Sequence, residues 1–184
     1  MPNQSSRPVL LLYSTTDGHT RHIIEVIGEE LAALGLTTDL RDLAESSLPD
    51  PGDYQAVLIG ASIRYGKFRP VLANYTSQHA DTLNAMPTAF VAVNLTARKE
   101  EKRSPETNAY TRKFLEATPW QPGHTEVVAG ALRYPRYQLF DRLMIQLIMK
   151  MTGGVTDASQ EIDYTDWDSV RAFARRWGEQ RLHP

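Results

Sequence analysis

The chain has 184 residues, a net charge of −2 and no cysteine, which excludes disulfides, thiolate metal sites, iron–sulfur clusters and cysteine nucleophiles. Apolar residues make up 41%, the share of a folded protein, and the near-neutral charge gives no global attraction to nucleic acid. The length, with no linker, repeat or low-complexity tract, predicts one domain over 1–184.

Met1 to Pro8 is polar, and the apolar run Val9 to Tyr13 is too short for a signal segment or a bilayer span. The expectation is a cytoplasmic protein, and the missing cysteines suit that compartment. Val9 to Ser14 reads as a buried parallel strand. A helix follows with Ile23, Ile24, Ile27, Leu31 and Leu34 on one face and Gly35 as its stop. Gly28 inside that helix predicts a close approach of helix to sheet.

Thr37 to Leu43 reads as a second strand and Gln55 to Ala61 as a third. Pro70 opens a helix with Val71, Leu72, Tyr75 and Leu83 facing inward. Thr88 to Asn94 is a fourth strand, followed by a charged loop and a helix over about 106–118. Glu126 to Leu132 is a fifth strand. The last helix covers about 166–181, with Thr165 as its N-cap, Asp168 at the third position, and Trp167, Val170, Phe173, Ala174 and Trp177 as its buried stripe. Five strand–helix alternations predict a doubly wound α/β fold: a five-stranded parallel sheet of order 2-1-3-4-5. Arg133 to about Asp163 is too long for a plain connection, so it is a helical insertion after the fifth strand.

Ser14, Thr15, Thr16, Asp17, Gly18, His19 and Thr20 form the first strand-to-helix turn. Such a turn offers unpaired N–H groups and a partial positive charge, and four hydroxyls add further donors. This is either a generous N-cap region or an anion cradle; its place at the carboxyl end of the first strand favours the cradle. Dinucleotide and P-loop patterns are absent, since Gly18 stands alone and Lys67 is followed by Phe68.

The turn resembles the flavodoxin phosphate loop, Ser/Thr-x-Thr-x-Gly-x-Thr. The resemblance implies a flavodoxin-like fold binding FMN, with Ser14, Thr15, Thr16, Gly18 and Thr20 on its phosphate and Asp17 and His19 contributing backbone groups. It also implies that the isoalloxazine sits between the loops after the third and fourth strands, Ser62, Ile63, Arg64, Tyr65 and Gly66 on one side and Asn94, Leu95, Thr96, Ala97 and Arg98 on the other. There Tyr65 can stack on the ring, and Arg64 can meet reduced flavin or a carboxylate; a surface tyrosine and a solvated arginine fit the spacing as well.

Longer strings are similar to the quinone-dependent protoporphyrinogen IX dehydrogenases: Ile59 to Gly66 (IGASIRYG), Val93 to Lys99 (VNLTARK), Ala129 to Tyr137 (AGALRYPRY), Leu147 to Gly154 (LIMKMTGG) and Tyr164 to Trp167 (YTDW). The resemblance spans about Val9 to Phe173. It implies oxidation of protoporphyrinogen IX to protoporphyrin IX in haem synthesis, with electrons passed through FMN to menaquinone or ubiquinone. An NAD(P)H-fed quinone reductase and a non-enzymatic electron carrier are the alternatives.

The insertion opens with Arg133 and Arg136 and carries four cations against one carboxylate up to Gly154. Leu139, Phe140, Leu143, Met144, Leu147, Ile148 and Met151 fall at helical spacing, opposite Gln138, Arg142, Gln146 and Lys150. Three arrangements fit: a helix packed on the core or a dimer partner, a helix lying on the inner face of the cell membrane through 133–152, or a lid on which Arg133 or Arg136 meets propionates. The five histidines form no ligand set, so no metal is expected. No residue stands out as a catalytic acid or base; Arg64, Arg133 and Arg136 are the candidate substrate contacts.

Overall fold

A computed structural model describes residues 7–182. The chain runs β1 (Val9–Ser14), α1 (His19–Ala33), β2 (Thr38–Asp42), β3 (Ala56–Arg64), β4 (Lys67–Phe68), α2 (Pro70–Gln78), α3 (Ala80–Asn84), β5 (Thr88–Asn94), α4 (Ala109–Ala117), β6 (His124–Ala129), β7 (Ala131–Arg133), α5 (Leu139–Met151), β8 (Glu161–Asp163) and α6 (Trp167–Leu182). Five strands pair in parallel in the order β2-β1-β3-β5-β6, which is the expected 2-1-3-4-5 arrangement once the two-residue β4 is set aside. Leu11 lies between Leu40 and Leu58, and Ile59 between Leu12 and Phe90.

Successive strand residues point to opposite faces, so each central strand feeds two cores. Leu11, Leu58 and Val91 pack under Ile23, Ile27 and Leu31 of α1 and Phe173 and Trp177 of α6. Leu10, Leu12, Ile59 and Phe90 pack on the other face with Leu72, Tyr75 and Trp120. Near-continuous apolar strands are what a sheet covered on both sides requires. Helix α1 sits close to this sheet: a Cβ at Gly28 would stand 3.1 Å from Leu11, and one at Gly60 only 2.4 Å from Ile24. It ends in a Schellman turn, with Gly35 at φ 84 and the Leu36 N–H donating to the Leu31 carbonyl at 3.1 Å.

Three boundaries differ from the sequence reading. The helix opened by Pro70 breaks at His79, whose φ of −111° and ψ of 18° turn the chain, so Leu83 belongs to a separate short helix. The fifth parallel strand stops at Ala129: after Gly130 the chain leaves the sheet, and Ala131 to Arg133 pair antiparallel with Glu161 to Asp163. This ribbon closes the base of the insertion. Finally, Asp166 rather than Thr165 caps α6, accepting from the Ser169 N–H at 3.1 Å. The Thr165 hydroxyl is engaged elsewhere, donating to the Ala129 carbonyl at 2.9 Å.

Candidate functional site

All the loops singled out in the sequence lie at the carboxyl edge of the sheet, where a doubly wound fold binds its ligands. One cleft, partly open to solvent, runs along that edge. Thr16, Asp17, His19, Thr20, Ser62, Ile63, Arg64, Tyr65, Gly66, Asn94, Leu95 and Thr96 line it. Ser14, Thr15, Gly18, Ala97 and Arg98 do not line it. Ser14 is buried beneath the loop, and the other four belong to its frame.

The loop between β1 and α1 is shaped by its own side chains. Gly18 adopts φ 85 as the N-cap of α1, and a Cβ there would meet nothing within 4 Å. Its N–H donates to Thr15 Oγ1 at 3.0 Å, and the His19 N–H to Asp17 Oδ1 at 3.1 Å. Arg69 steadies the loop from outside through the Thr15 carbonyl at 3.0 Å. The hydroxyls of Ser14 and Thr20 are buried and have no partner among the described residues. Unmet buried donors beside a helix N-terminus are the feature a phosphate satisfies.

A third unmet donor lies across the cleft. Asn94 Oδ1 accepts from the Ala97 N–H at 3.0 Å, the Thr96 hydroxyl at 2.6 Å and Asn108 Nδ2 at 3.0 Å, which fixes the amide orientation. Its Nδ2 is left buried and unpartnered. These three donors, spread from the loop to β5, fit a long polar ligand with a phosphate at one end, as FMN is.

The loop after β3 is a hairpin. Tyr65 and Gly66 both have positive φ, 51 and 74, the type I′ turn that joins β3 to β4. A tyrosine in that region is strained, and its hydroxyl donates a hydrogen bond to Asp141 of α5. Burial, then the bond to Asp141, push the Tyr65 phenol above its ordinary pKa. Arg64 Nη2 reaches the other Asp141 oxygen at 2.6 Å. Its guanidinium lies 5.7 Å from the Tyr65 ring and 5.2 Å from the Tyr137 ring.

His19 contributes its side chain as well as its backbone. Arginine only donates, so Arg133 Nη2, 3.2 Å from His19 Nδ1, makes that nitrogen the acceptor. Nε2 therefore carries the proton and donates to Thr165 Oγ1 at 2.7 Å. Burial holds the imidazole below its ordinary pKa, against the opposing pull of Asp163. The loop is thereby tied to the β7–β8 ribbon. Arg133 is committed to this tie, and Arg136 pairs at the surface with Glu161 at 3.0 Å.

The insertion supplies the roof. Ile145, Ile148 and Met149 of α5 line the cleft together with Tyr137, and Tyr110 closes over Gly66. Ile148 stood in the sequence only as a member of the apolar stripe and Tyr137 only as the end of a longer string; Tyr110, Ile145 and Met149 were not singled out. Ile145 and Met149 are four residues apart, a second apolar pair beside the seven-residue stripe, and that pair was the available signal. Arg98 holds the far end of α5 through the Thr152 carbonyl at 3.1 Å and hydroxyl at 2.9 Å. The main apolar stripe faces outward, with Leu139, Phe140, Leu143, Leu147 and Met151 all more than half exposed.

Residues 10–159 match the flavodoxin domain family. Similar proteins include the protoporphyrinogen IX dehydrogenase [quinone] of Escherichia coli K12, 51% identical over 90% of this chain and 92% of that protein. The chain belongs to the quinone-dependent protoporphyrinogen IX dehydrogenases. A member from Leishmania major is 52% identical over 95% of this chain and 75% of its own length. Flavodoxin 1 from Bacillus cereus superposes with a TM-score of 0.55 over 94% of this chain and 97% of that one. An archaeal flavodoxin gives 0.54 over 96% and 99%. Both are 12% identical and share the fold alone.

Proposed function

We propose that this dehydrogenase binds FMN and oxidises protoporphyrinogen IX to protoporphyrin IX in haem synthesis, with a membrane quinone, menaquinone or ubiquinone, as acceptor. The observation that carries this reading is the continuity of one cleft, from the unmet Thr20 hydroxyl, past Asn94, to the apolar underside of α5. Its closest support outside the structure is the high identity to proteins of that name.

Ser14, Thr16 and Thr20, with the N-terminus of α1, hold the phosphate. Asn94 offers an N–H at the ring end, and the Tyr65–Gly66 hairpin and the loop after β5 flank the ring. FMN, when bound, supplies the two-electron redox chemistry that no side chain here has. The porphyrinogen lies under α5, where Ile145, Ile148 and Met149 exclude water. Arg64 takes one of its carboxylates.

The exposed stripe of α5 suits a lipid surface, with Lys150 and Arg142 on the same helix to meet anionic headgroups. The attachment we propose is peripheral, on the cytoplasmic side, through this stripe; among the described residues no helix is long and apolar enough to cross a membrane. Ile148 belongs both to the exposed stripe and to the cleft lining, so greasy ligands have an apolar path between them.

The test is anaerobic: FMN-loaded protein mixed with protoporphyrinogen IX, with and without a menaquinone analogue, followed by porphyrin fluorescence. Porphyrin formation that depends on quinone is expected. Bound flavin that yields no porphyrin above the protein-free rate would overturn the reading.

A further inference from the structure

Helix α5 is held over the cleft at both ends by arginines of quite different character. At the far end, Arg98 lies outside the cleft and donates to Thr152 of the backbone and its hydroxyl. At the near end, the partner is a side-chain carboxylate. Asp141 receives Arg64 on one oxygen and the Tyr65 hydroxyl on the other, and Arg64 and Tyr65 both line the cleft. Two converging donors, one charged and one neutral, between aromatic walls are what a carboxylate site consists of.

Asp141 also stands in the first turn of α5, where a carboxylate is favoured by the helix dipole. Yet it makes no bond to the helix N–H groups, and Gln138 at the N-cap makes none either. The Asp141 carboxylate is turned wholly to the cleft-lining pair. Arg64 and Asp141 are only 21% and 27% exposed, so the pair is partly shielded from solvent and a rival anion has to displace one partner to reach the other.

We infer that Asp141 is an internal placeholder for a ligand carboxylate on Arg64 and Tyr65, so that α5 unlatches for carboxylate-bearing ligands and stays closed to their neutral analogues. The inference rests on the functional reading above and adds its selectivity. A propionate entering the cleft takes over both donors and Asp141 is released to solvent, while Arg98 keeps the other end of the helix in place. The exchange of one carboxylate for another leaves Arg64 charged and paired throughout.

The test compares FMN-loaded, full-length wild type with Asp141→Asn and Arg64→Gln. The probes are protoporphyrin IX, a dicarboxylate, and its dimethyl ester, titrated by fluorescence in one detergent at neutral pH. Asp141→Asn, nearly isosteric, is expected to bind the diacid about tenfold more tightly and the diester with a clearly smaller gain, from the loosened latch alone. Arg64→Gln should bind the two forms alike. In ligand-free Asp141→Asn, hydrogen exchange should quicken at the first turns of α5 and stay slow near Thr152.

A gain shared equally by acid and ester makes Asp141 a steric plug and overturns the inference. So does unchanged acid binding in Asp141→Asn, with or without faster exchange. Failure of the wild-type holoprotein to bind either porphyrin sinks the functional reading and this inference together. Normal diacid binding that ignores position 141 sinks this inference alone.

Discussion

Helices α1 and α5 carry the same kind of amphipathic stripe and use it in opposite ways. Ile23, Ile24, Ile27 and Leu31 of α1 are fully buried against the sheet, whereas Phe140 and Met151 of α5 are 70% and 78% exposed. Periodicity reports that a helix has an apolar side; it does not report whether that side meets protein or another apolar phase. In α5 the protein-facing side is the less apolar one, with Asp141, Ile145, Gln146 and Met149, tied down by Arg64, Arg98 and a bond from Gln146 to the Thr156 carbonyl at 2.7 Å.

The sharpest way to break this comparison is thermodynamic. Trp177→Ala, in the core under α1, should cost about 3–5 kcal/mol in urea denaturation. Phe140→Ser on α5 should stay within about 0.5 kcal/mol. A large loss for Phe140→Ser would mean that the stripe is already covered, by a second copy of the chain.

The next effect belongs to lipid. Replacing Phe140, Leu143 and Leu147 together by Ser should weaken binding to anionic vesicles by about a thousandfold or more, since each buried apolar side chain contributes about 1.5–3 kcal/mol. Sedimentation with vesicles measures it, and unchanged partition would remove the membrane from the reading.

Within the phosphate loop the two kinds of stability part company. Thr20→Val removes a buried hydroxyl that has no partner among the described residues. FMN affinity should therefore fall by about 1.5–3 kcal/mol, while the flavin-free protein stays as stable or gains. Calorimetry of both forms checks the pair of signs.

The smallest expected effect is pH-linked. Folding favours neutral His19, whose pKa lies below its ordinary value of 6.5. The unfolded chain binds this proton first, so stability is full above about pH 6.5 and declines as pH drops beneath it, no more steeply than about 1.4 kcal/mol per pH unit. His19→Gln should flatten that part of the profile, and an unaltered slope would show that other groups set it.

The sheet order and the ligand edge were legible because strand and helix alternate without a break, and buried parallel strands read as continuous apolar runs. Gly18 and the hydroxyls around it were legible for the same local reason: a strand-to-helix turn needs donors and one left-handed residue. What the sequence did not disclose was long-range. Tyr110 over Gly66, Asp141 on Arg64 and Tyr65, and Thr165 on His19 join residues 44 to 146 positions apart, and no pattern along the chain encodes such meetings. Thr165 looked like a helix cap because Thr-x-x-Asp is a capping spacing; the hydroxyl turned instead to the Ala129 carbonyl, and Asp166 took its place.

One end of α5 is pinned by Arg98 and the other by a single carboxylate, which makes the helix a lever with a fixed fulcrum. Thr152 and Asp141 are eleven residues apart, about 16 Å along a helix. A swing of about 10° at the fulcrum moves the tip by ~3 Å, more than a hydrogen bond tolerates. The cleft therefore has no need of melting or refolding to admit a flat, rigid ligand: a tilt about Thr152 that also gives up the Gln146 bond to the Thr156 carbonyl is enough to part the tip from the β3–β4 hairpin.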